Sequence, residues 1–267
     1  VSVRGTVRAL PALFKVGFAE AVAYRAELFV WVLSTTMPLV MYVLWSAVAR
    51  EAPVGRYGDR EFLAYFLAAF IVRQLTSNWA AWQMNFEVRQ GILSMRLLRP
   101  LTPVVSWAVE TLAYMPMRLL VIVPPVVTWL AVLGGAFLPR TVAGWGLFAL
   151  GAAGGWLLVF TINVCVGTLS LFMKSSLKLM DAYLAATFVF SGYLIPVELF
   201  PDRLRAVVEW LPFRYTIGLP VELLTSHHGT AEAARLVAVQ WGFCALFGVL
   251  GLLLWRRGIR NFEAYGG

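Results

Sequence analysis

Runs of apolar residues about one bilayer thick recur along this chain, separated by short polar breaks. A helix crossing the hydrocarbon core needs about 20 predominantly apolar residues. Residues 28–49 supply such a run without a charge, and residues 62–84 supply a second, interrupted by Arg73. Residues 119–138 make a third uncharged run, with Pro124 and Pro125 tolerable as a kink. Residues 141–173 are long enough for a fourth crossing with tilt; residues 182–197 give a shorter fifth and residues 236–255 a sixth. The pattern predicts an all-α integral membrane protein with six transmembrane helices in one domain spanning residues 1–267.

Three further segments are apolar on one side only. In residues 1–27, Leu10, Leu13, Phe14, Phe18, Ala21 and Val22 share a face while Arg8, Lys15, Glu20 and Arg25 interrupt it. That pattern suits an elbow helix lying in the membrane interface. Residues 101–118 are apolar apart from Glu110, with Arg99 and Arg118 at their ends. If both arginines lie on one side, this piece rests on or dips into that face without crossing. Residues 198–234 are mixed and punctuated by Pro201, Pro212 and Pro220, which predicts short re-entrant helices at the outer side. Leu204, Val207, Val208 and Leu211 form an i, i+3, i+4, i+7 stripe there.

Composition agrees. The chain is 60% hydrophobic and 13% charged, against about 25% charged in soluble domains. The net charge of +8 follows membrane topology and does not call for nucleic acid, because the basic residues flank apolar runs. Thirteen Lys and Arg fall on the side of the termini, including Arg89, Arg96, Arg99, Arg118, Lys174 and Lys178. Eight fall opposite, where Glu51, Asp59, Glu198, Glu222 and other acids offset them. The bias puts both termini in the cytoplasm. Cys165 and Cys244 sit in apolar runs without disulfide or metal-ligand spacing. Lys15, Glu20 and Arg25 break any signal-peptide core, so the first crossing itself carries the targeting information. With no soluble appendage visible, any energy-supplying domain belongs to another chain.

Residues 85–100, NFEVRQGILSMRLLRP, join the second and third crossings. Glu87, Arg89, Gln90 and Arg96 alternate with Val88, Ile92, Leu93, Leu97 and Leu98, and Pro100 ends any helix. On physical grounds this is an amphipathic connector on the inner leaflet or a helix that docks in a partner's groove. The stretch resembles the E-x-R-x-G-x-L-x-x-x-L-x-x-P loop of ABC-2 type permeases, in particular the six-helix drug and viologen exporter branch. Glu87, Arg89, Gly91, Leu93, Leu97 and Pro100 carry the resemblance. Residues 191–215 are similar to the family's signature before the last crossing, and the elbow, the 72–77 run and the tail from Arg256 agree in order and spacing. The resemblance implies a cytoplasmic coupling helix in which Glu87, Val88, Arg89, Gln90, Gly91, Ile92, Leu93 and Arg96 dock a separate ATPase. ATP and Mg would be held by that partner and no cofactor by this chain. It further implies a second permease copy or homologue and a bacterial cytoplasmic membrane location.

A charge within a crossing marks a functional position by default. Arg73 either pairs at a helix interface or lines a substrate route, together with Gln74, Tyr193, Pro196 and Phe200 as pathway or gate candidates. Glu110 and Asp181 read as interfacial, and Asn163 as a buried interhelical hydrogen bond. Gly151, Gly154 and Gly155 predict close helix packing, within the chain or between copies. His227 and His228 read as a solvated pair, not a metal site. No phosphate-cradling loop, zinc-protease motif or nucleophile elbow is present, so no catalytic residue is expected. The expected function is an exporter permease for a hydrophobic or amphipathic molecule, such as a drug-like cation. Export of a lipid or lipid-linked saccharide is the alternative within the class. A membrane-embedded lipid-modifying enzyme is the alternative outside it.

Overall fold

Helices account for the secondary structure of the described residues, apart from an isolated bridge between Val54 and Tyr57. The computed structural model describes residues 3–26, 30, 35–99, 101–173, 176–260 and 262. Most of the start of the expected first crossing, together with Pro100, Lys174 and most of the tail beyond Arg260, lies outside the described residues. In chain order the helices are α1 (Val3–Ala23), α2 (Met37–Ala49), α3 (Asp59–Thr76), α4 (Ala80–Arg89), α5 (Ile92–Leu97) and α6 (Pro103–Ala113). They continue with α7 (Met115–Leu133), α8 (Val142–Thr168), α9 (Leu177–Phe190), α10 (Asp202–Val208), α11 (Gly218–Leu224) and α12 (Thr230–Arg260).

Among the described residues, three helical stretches are long and apolar enough to cross a membrane: Pro103–Leu133, Val142–Leu171 and Thr230–Arg260. Met37–Ala49 is a shorter apolar helix. Several boundaries differ from the hydropathy reading: the expected 182–197 crossing is the helix Leu177–Phe190, and the expected 236–255 crossing is the longer Thr230–Arg260. The expected second crossing is broken at residues 77–79, so α3 and α4 are separate helices. The third helical stretch starts at Pro103, because Thr102 adopts an extended conformation before a proline suited to a first helical turn. Arg118 therefore lies inside a helical run. Charge placement put it at the water boundary, but its guanidinium is buried and donates to Ser77 O and, at 3.1 Å, to Ser77 Oγ.

α3 is the centre of the bundle. It packs against α2, α7, α8 and α11, which is why residues 64–72 are buried on every face of the helix. The short α11 is buried throughout, wedged between α8 and α3. The stripe expected on α10 faces inward only at Val208; Leu204 and Val207 are exposed. α1 leans on α6 through Gly17 and Ala21, not through the larger Phe14 and Phe18, which stay exposed. Trp107 of α6 meets Trp255 of α12 edge-on. Helix α1, the α4–α6 region and the far end of α12 thus share one end of the bundle.

The glycines of α8 make close contacts within this chain. A Cβ on Gly151 would collide with Leu223 of α11, and one on Gly154 would meet Gln240 of α12 at 2.5 Å. One on Gly155 would meet the Thr216 carbonyl oxygen at 2.9 Å and Thr76 of α3 at 3.0 Å. A backbone oxygen cannot swing aside, so Gly155→Ala should cost about 1–3 kcal/mol as overpacking. Gly242→Ala, with nothing near its Cβ, should be neutral or stabilising. Melting of the two variants in detergent checks the pair.

Candidate functional site

The connector after α4 is folded by a buried charge cluster. Gly91 takes φ +72°, a left-handed turn open to glycine, and reverses the chain between α4 and α5. The reversal brings Arg96 back onto Glu87 at 2.7 Å, while α6 supplies Glu110, also 2.7 Å from Arg96. Trp107 Nε1 donates to Glu87 at 3.2 Å, and Gln83 donates to Glu110 at 2.7 Å. The Arg96 guanidinium also lies over the Trp107 ring at 5.5 Å. Every strong polar group here has a partner, as a buried ion cluster requires.

That arrangement divides the expected docking residues. Glu87, Val88 and Leu93 are buried, and Arg96 is largely enclosed. Arg89, Gln90 and Ile92 face outward, joined by Phe86, Met95, Leu98 and Arg99, which motif matching did not single out. The signal for these is the helical repeat: Ile92, Met95 and Leu98 recur every three residues opposite the buried Leu93. Glu87 and Arg96 hold the turn in shape, and the second set forms its outer surface.

The break between α3 and α4 carries a second polar group. α3 ends on Ser77, whose carbonyl is capped by Arg118 of α7. α4 begins beside Asn163 of α8, whose Oδ1 accepts from Ala81 N at 3.2 Å while its Nδ2 donates to Val159 O. This is the interhelical bond expected of Asn163. Of the pathway candidates, Arg73, Gln74 and Tyr193 come together here. Arg73 lies over the Tyr193 ring at 5.6 Å, and both Gln74 and Tyr193 hydrogen-bond Thr35. Pro196 is buried and Phe200 half-buried; they flank a 3₁₀ turn outside this group.

The opposite end of the bundle is closed by a network that the sequence did not reveal. His227 lies 3.0 Å from Glu198, which also pairs with Arg56 at 2.9 Å. His228 is held between Glu222 at 2.8 Å and Glu232 at 3.3 Å, and Arg214 completes the set 3.0 Å from Glu222. The two histidines thus sit against carboxylates and are largely enclosed, not solvated, because the chain between α11 and α12 folds back over α11. Two cavities of about 530 and 210 Å³ open beside this network and share Phe137, Thr225 and Ser226. Phe137 and Ser226 are the described non-glycine residues with positive φ.

For His228, burial alone pulls the pKa down, but Glu222 and then Glu232 outweigh it and hold it above the ordinary imidazole value. For Glu222, burial pulls upward, while the His228 hydrogen bond and the Arg214 charge hold it below the ordinary carboxylate value. The stabilisation from His228 is therefore complete below about pH 6.5 and lost as pH rises through its raised folded value. That from Glu222 is complete above about pH 4.3 and lost as pH falls. Raising the pH from about 6 to 9 should lower the melting temperature by roughly 2–4 °C, the response of a chain this long to about 1 kcal/mol. His228→Asn should flatten that dependence.

Comparison with protein families matches residues 32–266 to the model of the ABC-2 family transporter protein. Comparison with curated proteins finds no match. The match takes in the broken helix α3–α4, the folded connector, the short helices α10 and α11, and α12. The chain belongs to the ABC-2 transporter family and is a multi-pass membrane protein.

Proposed function

We propose that this chain is the permease subunit of an ATP-binding cassette exporter that moves a hydrophobic or amphipathic substrate out of the cytoplasm. A separate ATPase subunit supplies the energy, and a second permease copy or homologue completes the transmembrane unit. The carrying observation is the connector: a buried Glu87–Arg96–Glu110 cluster fixes a turn whose outer face presents Phe86, Ile92, Met95 and Leu98. Exposed apolar side chains flanked by Arg89 and Arg99 suit a groove on a soluble partner. The charge bias puts this end in the cytoplasm, together with both termini, and the histidine-bearing end outside. Six crossings, with α1 as the interfacial elbow and α10–α11 as the outer re-entrant pieces, are the topology that goes with this reading.

The connector couples because it is rigid. α4 is joined directly to α5, and α6 is tied to both through Glu110. A push on the exposed face therefore moves α4 and α6 together, and they continue into α3 and α7. ATP-driven closure of the partner would favour one of two arrangements of these helices by its differential contact with them.

The buried and exposed residues separate in experiment. Met95→Asp and Leu98→Asp should each weaken co-purification of the ATPase subunit about 10- to 100-fold, the range of interface hot spots, without changing the melting temperature. Arg96→Ala should destabilise the permease by about 3–5 kcal/mol, because it leaves Glu87 and Glu110 buried without their counter-charge. Unimpaired ATPase binding by both aspartate variants would remove the docking assignment.

A further inference from the structure

Arg73 and Arg118 are the polar groups that the coupling reading leaves unexplained. Arg73 is half-buried near the end of α3, about 21 Å of helix rise from Asp59. Its Nε is buried without a hydrogen-bond partner. Arg118, buried one turn into α7, bonds Ser77, one helical turn beyond Arg73 on α3. Neither arginine is in an ion pair among the described residues, although Arg56, Arg96, Arg205 and Arg214 all are.

Arg73 lies over Tyr193 and within electrostatic reach of Tyr183. Asn78, in the helix break itself, is 6% exposed, and neither Nδ2 nor Oδ1 has a partner. A buried polar atom left unpaired costs about 1–3 kcal/mol, and two of the unpaired atoms here, Arg73 Nε and Asn78 Nδ2, are donors that call for an acceptor. Two guanidinium groups one helical turn apart, neither in an ion pair among the described residues, repel a cation and attract an anion. Their fork of donors matches the oxygens of a phosphate or carboxylate.

We infer that the break between α3 and α4 is a binding site for the anionic headgroup of an amphiphile. Arg73 is its main ligand, Arg118 supports it from the capped Ser77, and Asn78 donates alongside. The apolar tail would lie along the exposed aliphatic face of α7, where Leu119, Leu120 and Val123 are uncovered. In the exporter this would be the substrate site, so that role rests on the permease reading. The binding itself does not. It replaces the expectation of a cationic substrate with that of an anionic one.

The test uses the full chain in phosphatidylcholine nanodiscs, with dodecyl phosphate, dodecyltrimethylammonium and dodecyl maltoside as probes. Dodecyl phosphate should bind at least ten-fold tighter than the ammonium probe. Arg73→Gln should weaken phosphate binding by about ten-fold, roughly what one charge-assisted hydrogen bond supplies, and leave maltoside binding alone. Arg73→Lys should retain part of the affinity, which separates a lost ligand from a damaged fold. Competition by phosphatidylglycerol in the nanodisc would assign the anion to a bilayer lipid; its absence, with probe binding intact, would assign it to another amphiphile. Equal affinity for the two charged probes overturns the site. So does an Arg73→Gln variant that binds dodecyl phosphate normally but separates a dimer, because Arg73 would then pair with a second copy. ATPase co-purification is scored separately: its failure with anion binding intact removes the permease reading and leaves the site standing.

Discussion

A helix surrounded by apolar groups cannot break unless other side chains satisfy the backbone atoms that the break exposes. The interruption at residues 77–79 is possible because Arg118 caps the Ser77 carbonyl from α7 and Asn163 accepts the Ala81 amide from α8. Those two contacts fix where α7 and α8 sit against the broken helix. α3 above the break becomes the buried axis of the bundle, and α4 below it is free to turn toward α6. The connector, the polar group around Arg73 and the long packed face of α8 all depend on this arrangement.

The two ends of the bundle are closed by the same device in different chemistry. At one end a short turn folds on Arg96 between two carboxylates; at the other a loop folds on His228 between two carboxylates. The planar fork of Arg96 reaches both carboxylates of the connector at once. Histidine is the pH-responsive cation, so the opposite closure loosens on the alkaline side. Between them, the glycines of α8 let Leu223 of α11 and Gln240 of α12 press their side chains against the α8 backbone.

Much of this was legible from the residues. Asn163 stood alone in a long apolar run, and a solitary amide there has to bond to a neighbouring helix. Gly151, Gly154 and Gly155 announced close packing, though whether their partners lay in this chain or another copy was open. The pattern around Glu87, Gly91 and Leu93 marked the connector, yet treated its residues as one docking set. Their division into buried and exposed could not be read locally, because it is set by Glu110 and Trp107, about twenty residues further on. For His227 the reason is the same, since Glu198 and Arg56 are remote in sequence; the acids beside His228 are only six and four residues away, and it is the fold of the loop over α11 that turns its ring onto them.

The sequence by itself determined which segments prefer hydrocarbon, which polar residues are exceptions among them, and which family's spacing they follow. Those properties are nearly additive along the chain, since each side chain partitions between water and lipid on its own account. What only the tertiary structure decided was the partner of each exception. Arg118, assigned by charge counting to the water boundary, is spent on a carbonyl in a helix break; Glu87 is turned inward; His228 is held between two acids. A buried polar group takes the complementary group that folding brings within about 3 Å, and that distance is set by how helices and turns pack, not by spacing along the chain.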